Sequence, residues 1–172
     1  MSKGLKQKFL ANNVRHHTEF RRQHASRMLH LARTRTRFGV VGCMDSRIKL
    51  SKQLKLPPGV LGEWRNIGGR MSMKWHYFSE CVFQWACKNI LNGYRCVFLA
   101  TYHWSQSDEH LGCRGFGNDI NAARRFANGL RDEVAEVWPD KTVYSVTVGI
   151  ETDSGGLVVH GSEGDIDLTA ET

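Results

Sequence analysis

Two short segments of this chain carry residue types that can do chemistry together: Cys43-Met44-Asp45-Ser46-Arg47 and His110-Leu111-Gly112-Cys113. Thiolate and imidazole suit a borderline-soft ion such as zinc, and a His and a Cys three apart can reach one ion from a single loop or helical turn. If the two segments meet, Cys43, His110 and Cys113 give two thiolates and one imidazole, with the fourth tetrahedral position open. Three protein ligands and an open position are the pattern of a catalytic zinc; a structural zinc is closed by four. Such an ion lowers the pKa of bound water to about 7 and so makes a hydroxide nucleophile near neutrality.

The elements that must bring these segments together can be read from the pattern. Residues 38–42 form a short β-rich run, so Cys43 is expected at the carboxyl end of a strand. After the turn at Pro57-Pro58-Gly59, residues 60–64 read as a second strand leading into Arg65-Asn66-Ile67-Gly68-Gly69, where paired glycines permit positive φ or close backbone approach. Ser72 then opens a helix to about Leu91, with Trp75, Phe78, Val82 and Trp85 on its core face and Asn92-Gly93 as its stop. Residues 95–102 are nearly continuously apolar, as expected of the centre of a parallel sheet covered on both faces. A polar loop follows, then a helix capped by Asn118 or Asp119 and closed at Pro139-Asp140. Residues 143–150 and 157–160 read as two strands joined by a turn at 153–156. If the strands ending near Cys43 and Tyr102 are parallel neighbours, their carboxyl ends form the kind of crevice in which open α/β sheets place their sites.

Composition narrows the class. A chain of 172 residues with 41% hydrophobic content suits one domain, and no apolar run approaches the ~20 residues of a membrane span. Nor does the N-terminus build a signal-peptide apolar block, so the expectation is a soluble, cytoplasmic protein. The five cysteines are odd in number and do not suggest a disulfide framework; Cys81, Cys87 and Cys96 are expected as buried thiols. The net charge of +7 is uneven: residues 1–37 carry ten Lys or Arg against Glu19 alone, while from Glu151 onward there are six acids and no Lys or Arg. The two ends should attract each other, within a chain or between subunits. Residues 5–33 have loose helical spacing broken around Asn12 and Asn13, which predicts one or two helices. The organisation expected is a helical arm over 1–36, a zinc-binding α/β unit over 37–161 and a mobile acidic tail over 162–172, in a single domain.

The three blocks Cys43-x-Asp45-Ser46-Arg47, Arg65-Asn66-x-Gly68 and His110-x-x-Cys113 resemble the pattern of the β-class carbonic anhydrases. The resemblance implies an α/β fold: a mainly parallel four-stranded sheet with an added edge strand, flanked by helices, and an N-terminal helical arm that wraps a partner in a homodimer or higher homo-oligomer. It also implies zinc on Cys43, His110 and Cys113, with Asp45 accepting a hydrogen bond from zinc-bound water or closing the fourth position itself. Arg47 would pair with Asp45 and hold it away from the metal, since a bidentate guanidinium keeps a carboxylate ionised and fixed.

Two departures bear on the site. His103 stands nearer the strand end, where the family's histidine lies, so residues 104–109 look inserted and His103 is the alternative ligand. Whichever histidine is off the metal is a candidate proton shuttle. Arg114 replaces the usual glycine after Cys113 and can bind an anion such as bicarbonate; Gly68 and Gly69 are expected to line the pocket with it. The activity implied is reversible hydration of carbon dioxide to bicarbonate. The rivals are hydrolysis of carbonyl sulfide or carbon disulfide on the same scaffold, and a non-catalytic zinc module whose basic arm binds nucleic acid or an acidic partner; nucleic acid is the less favoured partner, because only three protein ligands are readily supplied.

Overall fold

The strand that carries Cys43, β1 (Thr36–Cys43), is buried along its second half and lies between two parallel neighbours. On one side is β2 (Leu61–Asn66), paired so that Cys43 stands opposite Asn66. On the other is β3 (Arg95–Trp104), the most continuously buried strand, in the register Val41 to Ala100. β4 (Val143–Glu151) extends the parallel set, and β5 (Leu157–Gly161) and β6 (Gly164–Asp167) add to it antiparallel, giving a six-stranded sheet in the order β2-β1-β3-β4-β5-β6. The computed structural model describes residues 3–57, 59–161 and 164–167.

One face of the sheet is covered by α3 (His76–Leu91) and α4 (Ile120–Val137). Asp119 caps α4 by accepting from Ala122 N at 3.0 Å, and Ala123, Ala127, Leu130 and Val134, spaced three or four apart, are its buried stripe. They pack with Phe78, Val82 and Ala86 of α3 on Phe98, Ala100 and Tyr102 of β3. The other face has thinner cover. Ile48 and Leu50, the latter opening the short α2 (Leu50–Gln53), pack on Val40, Leu99, Val148 and Ile150, while Phe38, Val97, Val146 and Val159 stay partly exposed.

The architecture agrees with the expected mainly parallel sheet and its antiparallel addition. Of the one or two helices expected in the N-terminal arm there is one, and three other local expectations change. The N-terminal arm is one unbroken helix, α1 (Lys3–Thr34), which runs through Asn12 and Asn13; Leu31 is its only buried side chain among the described residues. α3 begins at His76 and not at Ser72, because the Ser72 hydroxyl donates to Glu133 at 2.8 Å and accepts from Lys74 N, closing a turn that precedes the helix. Trp75 is consequently outside the core face and 54% exposed. The segment expected as a mobile tail contributes β6, whose backbone pairs Ile166 with Val159; residues 162–163 and 168–172 lie outside the described residues. Of the three cysteines expected as buried, Cys96 is, Cys81 is half-buried and Cys87 is exposed. No helix among the described residues is long and apolar enough to cross a membrane.

Candidate metal centre

β1 leaves toward β2 and β3 leaves toward β4, so the carboxyl ends of β1 and β3 diverge at a topological switch point. Continuing the β1–β3 register past Val41 and Ala100 brings Cys43 beside the end of β3. That strand runs further than the apolar run suggested, through His103, which pairs with Ile150 of β4 and is 1% exposed. Cys113 returns to the same place from the loop beyond. The sulfur and ring-nitrogen atoms of Cys43, His103 and Cys113 lie within 4.8 Å of one another, all three residues buried.

His103, the alternative ligand by sequence, therefore takes the place expected of His110. The reason is β-structure: the fourth parallel strand carries β3 two residues beyond Tyr102, so His103 points from a fixed strand. His110 lies in a short 3-10 turn, Glu109–Leu111, capped by Asp108, and its side chain is exposed. It lines the cleft above the cluster, outside the group of three.

The donor set fits a tetrahedral zinc. Two sulfurs at 2.3 Å from one ion stand about 3.8 Å apart; the Cys43 and Cys113 sulfurs are 3.9 Å apart. Neither ring nitrogen of buried His103 has a hydrogen-bond partner among the described residues, an arrangement that costs free energy unless something else occupies a nitrogen. The Cys113 thiol donates its proton to the Cys43 sulfur. That bond, with His103 and Gly68 N–H close by, outweighs burial and holds Cys43 well below the usual thiol range. The same bond and burial push Cys113 up. Cation binding would release that proton.

Around the cluster, the backbone is held by side chains. Arg47 donates to Asp45 from Nε to Oδ1 at 3.1 Å and from Nη2 to Oδ2 at 2.7 Å, and its N–H also reaches Oδ1 at 2.9 Å. The Arg47 side chain is the chief reason that Asp45 lies at about 2, well within its ionised range above pH 4. With both oxygens engaged, Asp45 is not one of the clustered donors. Arg65 contributes what the sequence did not reveal: its guanidinium donates to the carbonyls of Cys43, Asp45 and Ile48 at 2.8, 2.9 and 3.2 Å, fixing the turn after β1.

Gly68 and Gly69, expected in the pocket lining, act from behind it. Gly68 is buried at φ 77°, and its N–H donates to the Cys43 sulfur at 3.3 Å. Gly115 packs on it so closely that a Cβ there would stand 2.6 Å from Gly68 Cα. The cleft itself, about 310 Å³, is lined by Cys43, Asp45, Arg47, His103, His110 and Arg114, with Met44, Ile67 and Leu111 as exposed apolar members.

No family model and no curated protein matches the chain. Solved structures do. A tetrameric β-carbonic anhydrase from the filamentous ascomycete Sordaria macrospora superposes with a TM-score of 0.66 at 13% identity, over 92% of this chain and 98% of that one. The fold is that of the β-carbonic anhydrases. The β-carbonic anhydrase CafA of Aspergillus fumigatus (TM-score 0.58, 19% identity, 89% of each chain) and the Coccomyxa β-carbonic anhydrase in complex with acetazolamide (0.61, 12%, 87% and 83%) share it. At these identities the likeness to the β-carbonic anhydrases is one of fold, and the case for a metal rests on the donor cluster of this chain.

Proposed function

We propose that the protein is a zinc-dependent carbonic anhydrase, interconverting carbon dioxide and bicarbonate, with Cys43, His103 and Cys113 as the zinc ligands. The observation that carries this is the buried sulfur-sulfur-nitrogen cluster at the floor of an open cleft, with an ionised aspartate fixed beside it. Zinc in such a site supplies Lewis acidity that ionises water near neutral pH.

The chain's own residues do the rest. Asp45 is held as an acceptor by Arg47, so it can take a hydrogen bond from a water in the cleft and orient that water's lone pair. Met44, Ile67 and Leu111 offer an apolar surface to a small uncharged substrate, and Arg114 and Arg47 offer positive charge to the anionic product. His110, exposed in the lining, is placed to pass a proton from the cleft to buffer.

Self-association belongs to the same reading. α1 carries Phe9, Leu10, Val14 and Phe20 exposed, and one sheet face is thinly covered, so a second copy is the natural partner for both. The tetrameric Sordaria enzymes on this fold support a homo-oligomer.

The test uses purified protein assayed for bound zinc and for carbon dioxide hydration by stopped flow. His103→Ala should lose both metal and turnover. His110→Ala should keep zinc but hydrate several-fold more slowly in dilute buffer, with recovery on added imidazole. Metal loss in His110→Ala and retention in His103→Ala would falsify the ligand assignment; a zinc-loaded wild type with no hydration above buffer would remove the activity. Sulfide release from carbon disulfide or carbonyl sulfide, on the same preparation, distinguishes the alternative substrates.

A further inference from the structure

The ligands His103 and Cys113 are separated by an irregular loop, and something must fix its span. Its end near Cys113 is tied by Arg47, which donates from Nη2 to Leu111 O at 2.7 Å. Its beginning is tied to the turn between β4 and β5. Thr152 donates to Trp104 O from both N–H and hydroxyl, at 2.9 and 2.8 Å. Asp153 then accepts from Ser105 Oγ at 2.9 Å, Gln106 N at 3.0 Å and Ser107 N at 2.8 Å. Ser105, which is buried, relays the hold by accepting from Asp108 N at 3.1 Å, and Asp108 caps the turn that carries His110.

The turn that presents Asp153 is itself braced. Buried Glu151 accepts from Asp153 N at 2.9 Å and Ser154 N at 2.6 Å, and it also takes Gln106 N at 3.2 Å. A carboxylate gathering several N–H donors is a strong, directional anchor. Two carboxylates on one side of the loop therefore hold its first turn, while the metal ligands lie at its two ends.

We infer that Asp153, backed by Glu151, is a positioning residue for the metal centre: it fixes the loop after β3 so that Cys113 and His103 converge and His110 faces the cleft. The inference rests on the zinc reading above for its functional part, and on loop order alone for its structural part. Partners that hold ligating groups typically contribute tenfold or more to metal retention. Removing Asp153 deletes a three-donor clamp without touching any ligand.

The experiment compares wild type, Asp153→Ala and Asp153→Asn, the last keeping one acceptor oxygen for the same donors. Two rates are read: transfer of zinc to a chelating dye, and cleavage after Glu109 by a glutamate-specific protease in metal-free protein. Asp153→Ala should release zinc about tenfold faster and be cleaved faster, with circular dichroism unchanged, and Asp153→Asn should recover most of both. A cobalt-substituted sample should show a shifted visible band in Asp153→Ala and not in Asp153→Asn, which a general loss of stability would not produce. Equal release and equal cleavage in all three overturns the inference. If wild type holds no zinc at all, the enzymatic reading fails, yet the cleavage comparison still decides whether Asp153 orders the loop. Should Asp153→Ala not fold, Ser105→Ala removes the hydroxyl at the centre of the clamp and gives the same comparison.

Discussion

Arg47 grips Asp45 with two nitrogens, and one of these also reaches Leu111 O, so a single guanidinium spans the loops after β1 and β3. In Arg47→Ala the carboxylate loses its main partner and is free to turn toward the sulfur-nitrogen cluster. The expected result is retained zinc with hydration reduced at least tenfold, and a zinc-edge spectrum showing carboxylate oxygen in place of water. Unchanged turnover would mean that Asp45 needs no holding. At this scale the sequence was informative about residue types and less so about which histidine. The five-residue block from Cys43 to Arg47 carries its own geometry, since Asp45 and Arg47 meet across two residues of one turn. Which histidine joins the donor cluster depended on where β3 ends, and nothing local in residues 103–110 announces that the strand continues through His103. The role of Arg65, though not its place in the Arg65–Gly68 block, was equally hidden: its three carbonyl acceptors lie 22, 20 and 17 positions away along the chain.

Among elements, the decisive contact is between two backbones. The 3-10 turn Ile67–Gly69 after β2 meets the turn Arg114–Phe116 after Cys113 at Gly68 and Gly115, and each turn adjoins a metal-ligand candidate. A methyl group at position 115 would lie 2.6 Å from Gly68 Cα and 2.8 Å from Gly68 N, atoms that cannot rotate away. Gly115→Ala should therefore lower stability by about 1–3 kcal/mol, in the range for overpacking, and weaken zinc retention by moving Cys113 away from Cys43. Denaturant midpoints and zinc transfer measured together would check this; a variant as stable and as tightly loaded as wild type would refute it. The strands, α4 with its Asp119 cap, and the Asp153–Gly156 turn were all legible, because period and punctuation are local signals. The start of α3 was not, because Ser72 is engaged by Glu133, a partner 61 residues away that no local pattern displays. β6 was missed for a related reason: its acidic composition reads as solvated, while its backbone is held by β5.

For the whole molecule, α1 is a long basic helix with one buried side chain among those described, and helices of its kind draw most of their stability from tertiary packing. A second copy would supply that packing. Deleting residues 1–34 should reduce the solution mass toward that of one chain by light scattering, and an unchanged oligomer would remove α1 from the interface. The placement of the clustered donors has a different consequence. Cys43 and Cys113 are 70 positions apart, and they meet because β1 and β3 adopt one register out of several conceivable ones. A slip by a single residue would turn every side chain of β1 to the opposite face, Cys43 included, and no ion could then bridge the pair. On the zinc reading, metal uptake would follow sheet assembly and discriminate among its outcomes: correctly paired chains would acquire the ion, slipped ones would not, and occupancy would become a chemical record of how each chain folded.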